Sequence, residues 1–152
     1  CSHQLVRHRI ASFSQRSQRY VKLGKEKQYV IPHNIQNDAD LLHKFGKLAE
    51  KTYDFYQEML EKGIPAEDAR YILPQAIGTS IIFTANAREL IHFFRLRCCN
   101  RAQWEIRELA IAMLGLVKKE APLIFKDSGP PCLAGPCPEG EMSCGNPWKK
   151  ED

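Results

Sequence analysis

Residues 38–62 constrain this chain more than any other stretch. Leu41, Leu42, Phe45, Leu48, Ala49, Tyr53, Tyr56, Met59 and Leu60 recur at spacings of three and four. On a helix of 3.6 residues per turn that spacing forms one apolar stripe, which has to be buried against something else. Asn37 or Asp38 can cap the start of this helix and Gly63 can end it. A core built around one long amphipathic helix is therefore the first expectation.

The other elements follow from breakers and periodicity. Residues 1–20 read as helical and then extended, with Arg7, Ser14 and Ser17 on one face and Ile10 and Phe13 on another. Gly24, Pro32 and Asn34 mark residues 20–36 as a loop with at most one short strand near Tyr29-Val30-Ile31. Pro65 opens a short helix through Tyr71, and Pro74 stops it. Gly78 to Thr84 is β-branched and apolar, so strand and helix both remain open there. Residues 87–98 read as helix. Asn100 can cap another helix over 101–120, with Trp104, Ile106, Leu109, Ala110, Met113, Leu114 and Val117 as its apolar positions, ended by Pro122. Residues 126–152 hold five of the nine prolines and four of the nine glycines, so a loosely ordered tail, or one tied to a partner surface, is expected. The expected division is a domain over 1–125 and a Pro/Gly/Cys-rich tail over 126–152. The expected fold class is α+β, helix-rich, with long helices on a small mixed or antiparallel sheet.

A chain of 152 residues that is 43% apolar and 26% charged is ordinary for one globular domain, which excludes collagen-like and wholly disordered classes. The apolar runs, such as Ile81-Ile82-Phe83, are far shorter than the roughly 20 residues a spanning helix needs. No secretion signal is legible, so a cytoplasmic protein with reduced thiols is expected. The net charge of +4 is unevenly spread. Residues 1–35 carry Arg7, Arg9, Arg16, Arg19, Lys22, Lys25 and Lys27 against the single acid Glu26. That stretch is +6 and the remainder −2. Four of the seven cations are Arg, whose planar fork matches phosphate oxygens, so an anionic partner is implied.

Three constellations could carry chemistry. Arg7-His8-Arg9, followed by Ser12, Ser14, Ser17, Arg19 and Tyr20, makes a reasonable anion cradle, and equally a solvated basic face. Asn86, Arg88, His92, Arg95 and Arg97 lie among Leu90, Ile91, Phe93, Phe94 and Leu96. Polar groups so placed are expected to be partly buried and to need partners: a bound polar ligand, or simply neighbouring protein groups. Cys132, Cys137 and Cys144 are spaced Cys-x4-Cys-x6-Cys with no histidine nearby, unlike the paired spacing of common zinc sites. No metal site is assigned to them, and loose thiols or a redox-sensitive staple fit better. Adjacent Cys98-Cys99 would form a strained bridge and read as structural thiols. No Gly-x-Gly-x-x-Gly fingerprint or P-loop is present.

Taken together, these blocks resemble the flavin-dependent thymidylate synthases. The family signature of Arg-His-Arg, seven residues, then Ser stands here as Arg7-His8-Arg9 through Ser17, continuing into Arg19-Tyr20. Ala69-Arg70-Tyr71-Ile72-Leu73-Pro74, Thr79, Thr84-Ala85-Asn86-Ala87-Arg88, Leu96-Arg97 and Ala102-Gln103-Trp104-Glu105-Ile106 look like the later blocks, in the right order, over about Gln4 to Leu116. The resemblance implies conversion of dUMP to dTMP, with methylenetetrahydrofolate as carbon donor and FAD, reduced by NADPH, as hydride source. It implies no cysteine nucleophile.

The resemblance also implies roles. Gln4, Arg7, Gln15, Arg16, Ser17, Gln18, Arg19, Arg70 and Arg97 match dUMP-binding positions, with the 15–19 run holding the phosphate from a neighbouring subunit. Arg97 matches the arginine that activates the uracil. Arg7, His8, Arg9, Gln15, Asn86, Arg88 and His92 match flavin-contacting positions. A homotetramer with shared active sites follows from the same likeness. Gln15 departs from the pattern, since many members have Glu there, so a binding role at that position is retained and an acid–base role is not. Only six residues precede Arg7 and the first is Cys1, so an N-terminal portion that completes the sheet and the flavin site is expected to be absent. Two other readings stand beside this one: a nucleic-acid-binding module using residues 1–35 as a basic arm, and a catalytically inactive relative that keeps the fold.

Overall fold

The computed structural model describes residues 1–24 and 28–149. Lys25, Glu26 and Lys27 of the basic stretch lie outside the described residues. The elements in order are α1 (Ser2–Leu5), β1 (Ala11–Gln15), α2 (His33–Gln36), α3 (Ala39–Glu61), α4 (Ala66–Ala69), β2 (Ile81–Ala85), α5 (Ala87–Arg97), α6 (Trp104–Glu120) and α7 (Pro122–Phe125). Short 3-10 turns occupy Arg70–Ile72, Pro131–Leu133 and Gly140–Met142. The fold is α+β and helix-rich, with β1 and β2 forming a two-stranded antiparallel sheet. No helix among the described residues is long and apolar enough to cross a membrane.

The chain divides at the strand pair into two compact units, residues 14–81 and residues 1–13 with 82 onward. The 14–81 unit is organised by α3. Asp38 caps that helix, its carboxylate accepting from the Asp40 and Leu41 N–H groups at 3.0 Å each. Beyond Lys62, Gly63 turns the chain at φ +83°, a region that favours glycine. Ala49, Tyr53 and Tyr56 are buried. The Tyr56 hydroxyl accepts from Leu23 N–H at 3.2 Å, and Gln57 donates to the Leu23 carbonyl at 3.2 Å, tying the preceding loop to the helix. Leu41 and Leu48, expected in the buried stripe, are instead 49% and 65% exposed. The short neighbours α2 and α4 and the Arg70–Ile72 turn cover only part of the stripe. In the loop, Tyr29 makes a single antiparallel bridge to Ile77.

The other unit packs α1, α5 and α7 against α6. Ile106, Ala110 and Leu114 of α6 are buried, with Leu5, Phe93, Phe94, Cys98 and Phe125 around them. Burial of one such side chain contributes roughly 1.5–3 kcal/mol. The aromatic rings form a continuous row, from Phe13 stacked on Phe83 at 5.3 Å through Phe93 and Phe94 to Phe125.

Four expectations change here. Residues 1–20 contain a four-residue helix and then strand β1, so the helical face joining Arg7, Ser14 and Ser17 does not exist. Residues 81–85 are a strand, which resolves the ambiguity at Gly78 to Thr84. The cap of α6 is Gln103, whose Oε1 accepts from the Glu105 and Ile106 N–H groups. Asn100 instead donates to the Asn146 carbonyl at 2.8 Å. Finally, the described part of the 126–152 segment is folded onto the α5–α6 turn. Pro130 is fully buried, and Arg101 reaches Glu139 at 3.0 Å and the Met142 carbonyl at 2.8 Å. Prolines lower the entropy lost on ordering, so little apolar burial suffices to hold the segment.

Candidate functional site

In the unit of residues 1–13 and 82 onward, one cluster grows from two short pieces of chain. After α1, the His8 N–H donates to the Leu5 carbonyl at 3.1 Å, and fully buried Leu5 anchors this turn on α6. His8 is thereby carried inward, 4% exposed, between the exposed side chains of Arg7 and Arg9. The second piece is α5. Asn86 caps it, Oδ1 accepting from Glu89 N–H at 3.0 Å, and the residue is exposed. Glu89, Phe93 and Arg97 recur every four residues and share the inner face. Arg88, His92 and Arg95 share the opposite face and are exposed.

That exposure corrects the expectation that Arg88 and His92 would be partly buried. The apolar face of α5 is directed at α6, and these side chains lie off it in solvent. The inner face behaves differently. The His8 ring lies edge-on to Phe93, with centroids 5.0 Å apart, and 5.8 Å from the His92 ring. Its Nδ1 is 3.0 Å from Glu89 Oε1, and its Nε2 is 3.1 Å from Arg97 Nε. Arg97 also donates from Nη1 to Gln4 Oε1 at 3.1 Å and from Nη2 to the Gln4 carbonyl at 3.2 Å.

Electrostatics follow from this packing. Burial pushes the His8 pKa below its ordinary value, opposed by the hydrogen bond to Glu89 and reinforced by the nearby Arg97 charge. Burial also lowers Arg97, which stays charged because guanidinium begins so high. Three of the five Arg97 N–H groups are engaged, all by neutral acceptors. Among the described residues no carboxylate pairs with it directly. One N–H on each terminal nitrogen and an uncompensated positive charge are left for a ligand.

The second group of expected residues lies in the 14–81 unit. Gln15, Arg16 and Arg19 are exposed, and Ser17, Gln18 and Arg70 half-buried. Arg16 donates to the Lys22 carbonyl at 3.2 Å, Ser17 Oγ accepts from Arg19 N–H at 3.2 Å, and Val21 N–H donates to the Ser17 carbonyl at 2.9 Å. These bonds curl residues 16–22 into a compact turn with the Ser17 hydroxyl proton uncommitted. Arg19 Nε pairs with Glu67 at 2.7 Å, and Arg70 Nε donates to the Glu67 carbonyl at 3.1 Å. The turn, Glu67 and Arg70 thus form one cluster of guanidinium and hydroxyl groups.

The cysteines stand apart. All six are free thiols. Cys98 is fully buried and its pKa is pushed up to about 12, which suits an inert packing residue. Cys99, Cys132, Cys137 and Cys144 line a cavity of about 320 Å³ between the α5–α6 turn and the folded tail. Among the described residues, no three His, Cys, Asp or Glu side chains are arranged to hold a metal ion.

Sequence reasoning missed Glu89. Its signal was present: an acidic side chain on the apolar face of α5, four residues before Phe93 and eight before Arg97.

The fold defines a class, a helix-rich α+β protein, and each of its two units carries a cluster of guanidinium and hydrogen-bonding groups. Comparison with known proteins gives the family. The family described as thymidylate synthase complementing protein matches residues 1–123. A flavin-dependent thymidylate synthase of Geobacter sulfurreducens is 57% identical over 145 residues, covering 95% of this chain and 62% of the relative. Enzymes of the same name from Clostridium tetani and Thermococcus onnurineus are 53% and 48% identical, covering 95% and 99% of this chain and 64% of each relative. The chain belongs to the thymidylate synthase complementing protein family. It spans a little under two thirds of the length of these curated relatives.

Proposed function

We propose that this chain is the greater part of a cytoplasmic flavin-dependent thymidylate synthase, converting dUMP to dTMP with methylenetetrahydrofolate as carbon donor and FAD, reduced by NADPH, as hydride source. The observation that carries this reading is Arg97. It is held at three N–H groups by neutral acceptors, with two N–H groups and its full charge left over. A pyrimidine carbonyl that gains negative charge as the ring is activated is a ligand such an arginine stabilises. Gln4, whose carbonyl oxygens both hold Arg97, keeps its amide N–H groups for the same base.

The remaining residues divide by chemistry. Arg7, Arg9 and Arg88, all exposed, supply the cations that a dinucleotide pyrophosphate requires, with Asn86, His92 and Gln15 as hydrogen-bonding groups and His8 behind them. The donor set fits FAD, which when bound supplies the reducing equivalents. The turn of Gln15, Arg16, Ser17, Gln18 and Arg19, with Arg70, offers the hydroxyl and guanidinium donors of a phosphate site, and Arg7 joins the dUMP set. In this reading the turn serves a neighbouring subunit of a homotetramer. Arg19 would contribute through its terminal nitrogens, since its Nε is occupied by Glu67. Cysteine takes no part.

The test is a visible absorption spectrum of the full-length protein, recorded before and after addition of dUMP. Flavin bands that shift saturably with dUMP are expected. Arg97→Ala should keep the bands while losing the dUMP-dependent shift and turnover. A flavin-free protein that binds long polyanions instead, with affinity falling steeply with salt, would overturn the reading.

A further inference from the structure

Glu89 has no place in the function proposed above, yet it is 6% exposed and its carboxyl group is directed at His8. A buried carboxyl is retained only where a partner compensates its desolvation. The partner is the His8 ring, and the arrangement fixes which ring nitrogen carries the proton. Arg97 Nε always bears hydrogen and can only donate, so His8 Nε2, 3.1 Å away, must present its lone pair. The proton of the neutral ring then sits on Nδ1 and is donated to Glu89 Oε1 at 3.0 Å. This is the less common tautomer of a free imidazole, favoured here by Arg97 at one ring nitrogen and by the Glu89 carboxyl group at the other.

We propose that Glu89 is a positioning residue for Arg97, acting through the tautomer of His8. The chain of donors runs one way: Arg97 Nε to His8 Nε2, then His8 Nδ1 to Glu89. Without an acceptor at Nδ1 the buried Nδ1–H is left unpaired, and that cost together with the free ring's preference for Nε2 sets the proton on Nε2, facing the Arg97 Nε–H. Two donors in contact repel, and the guanidinium would swing about its two remaining bonds to Gln4. The ring also has no freedom to escape, since Phe93 packs edge-on against it and Leu5 holds its turn. A direct carboxylate–arginine pair would have fixed Arg97 equally well. It would also have neutralised the charge that the arginine offers a ligand. The imidazole spacer orients Arg97 through a neutral acceptor and keeps the carboxyl group one ring away.

The catalytic consequence rests on the proposed role of Arg97, whereas the tautomer does not, so the two can fail separately. The experiment is long-range proton–nitrogen correlation NMR on the full-length protein labelled with nitrogen-15 histidine, at pH 8, with the His8 signals assigned by their loss in His8→Asn. The wild type should show a protonated Nδ1 and an unprotonated Nε2. Glu89→Gln, which retains an acceptor oxygen, should keep that pattern, and Glu89→Leu should reverse it. In parallel, Glu89→Leu should lose about 100-fold in kcat/KM for dUMP, the order expected for a misplaced catalytic group, with Glu89→Gln far closer to wild type. A wild-type His8 protonated on Nε2, or an unchanged tautomer in Glu89→Leu, overturns the proposal. Should Glu89→Leu fail to fold, the wild-type and Glu89→Gln spectra decide it alone. The correct tautomer in an enzyme that turns over no dUMP would sustain the positioning role and sink the proposed function instead.

Discussion

Arg97 owes its orientation to residues more than 85 positions away in the chain, Gln4 and His8. His8 gives this cluster a pH signature. Its folded-state pKa lies below the ordinary histidine value of about 6.5, chiefly because burial disfavours the charged ring. A depressed folded pKa means that the unfolded chain binds the proton first as pH falls. The stabilising contribution is therefore complete above about pH 6.5 and is lost as pH drops through the lowered value. Denaturant midpoints of wild type and His8→Asn, compared between pH 8 and pH 5, should show the steeper acid loss in wild type. Parallel curves would mean that His8 does not titrate in this window. At the second cluster, Ser17→Ala removes one hydroxyl donor from the turn. On the proposed function it should weaken dUMP binding by roughly 5- to 10-fold, about the 1–1.5 kcal/mol of one hydrogen bond, in a calorimetric titration. Uridine without a phosphate should bind both forms alike.

The three long helices are begun by side chains that accept orphan N–H groups, and the strength of each start is testable. Asp38 satisfies two N–H groups at the head of α3, Asn86 one at α5 and Gln103 two at α6. Asp38→Ala should cost about 1 kcal/mol of stability, read from the shift in urea midpoint. Asp38→Asn should recover most of it, since an amide oxygen accepts equally well. Strand β2 illustrates a different dependence. Ile81–Ala85 alternates in exposure because successive side chains of a strand point to opposite faces, the strand itself is held by pairing with β1, and Phe83 stacks on Phe13 across that pair. Neither strand has a partner within its own local sequence.

For the whole molecule, the informative feature is apolar surface that this single chain leaves uncovered. Leu41, Leu48 and Phe55 lie seven residues apart on α3 and are 49%, 65% and 48% exposed. Seven-residue spacing keeps them on one face of the helix. A homotetramer, proposed above, would cover such a stripe. Leu48→Lys should lower the native mass of the full-length protein, measured by light scattering, without moving its far-ultraviolet circular dichroism. An unchanged mass would exclude this face from the interface.

The long helices, a cap at Asn37 or Asp38, the stop at Gly63 and the family blocks from Arg7 to Ile106 were all legible in the sequence. They depend on periodicity, local hydrogen bonding and motif order, which are properties of neighbouring residues. The tertiary structure alone decided the rest. The strand at 81–85 needed a partner some 70 residues away, and the solvent exposure of Leu41 and Leu48 depended on how little α2 and α4 cover. Gln103 caps α6 because the helix begins at Trp104, which leaves Asn100 upstream of the cap position, where its amide donates to the Asn146 carbonyl of the folded tail. The role of Glu89 was hidden most completely. Its place on the apolar face of α5 marked it as unusual, but its partner is set only when folding brings His8, 81 residues distant, against it and removes both from water.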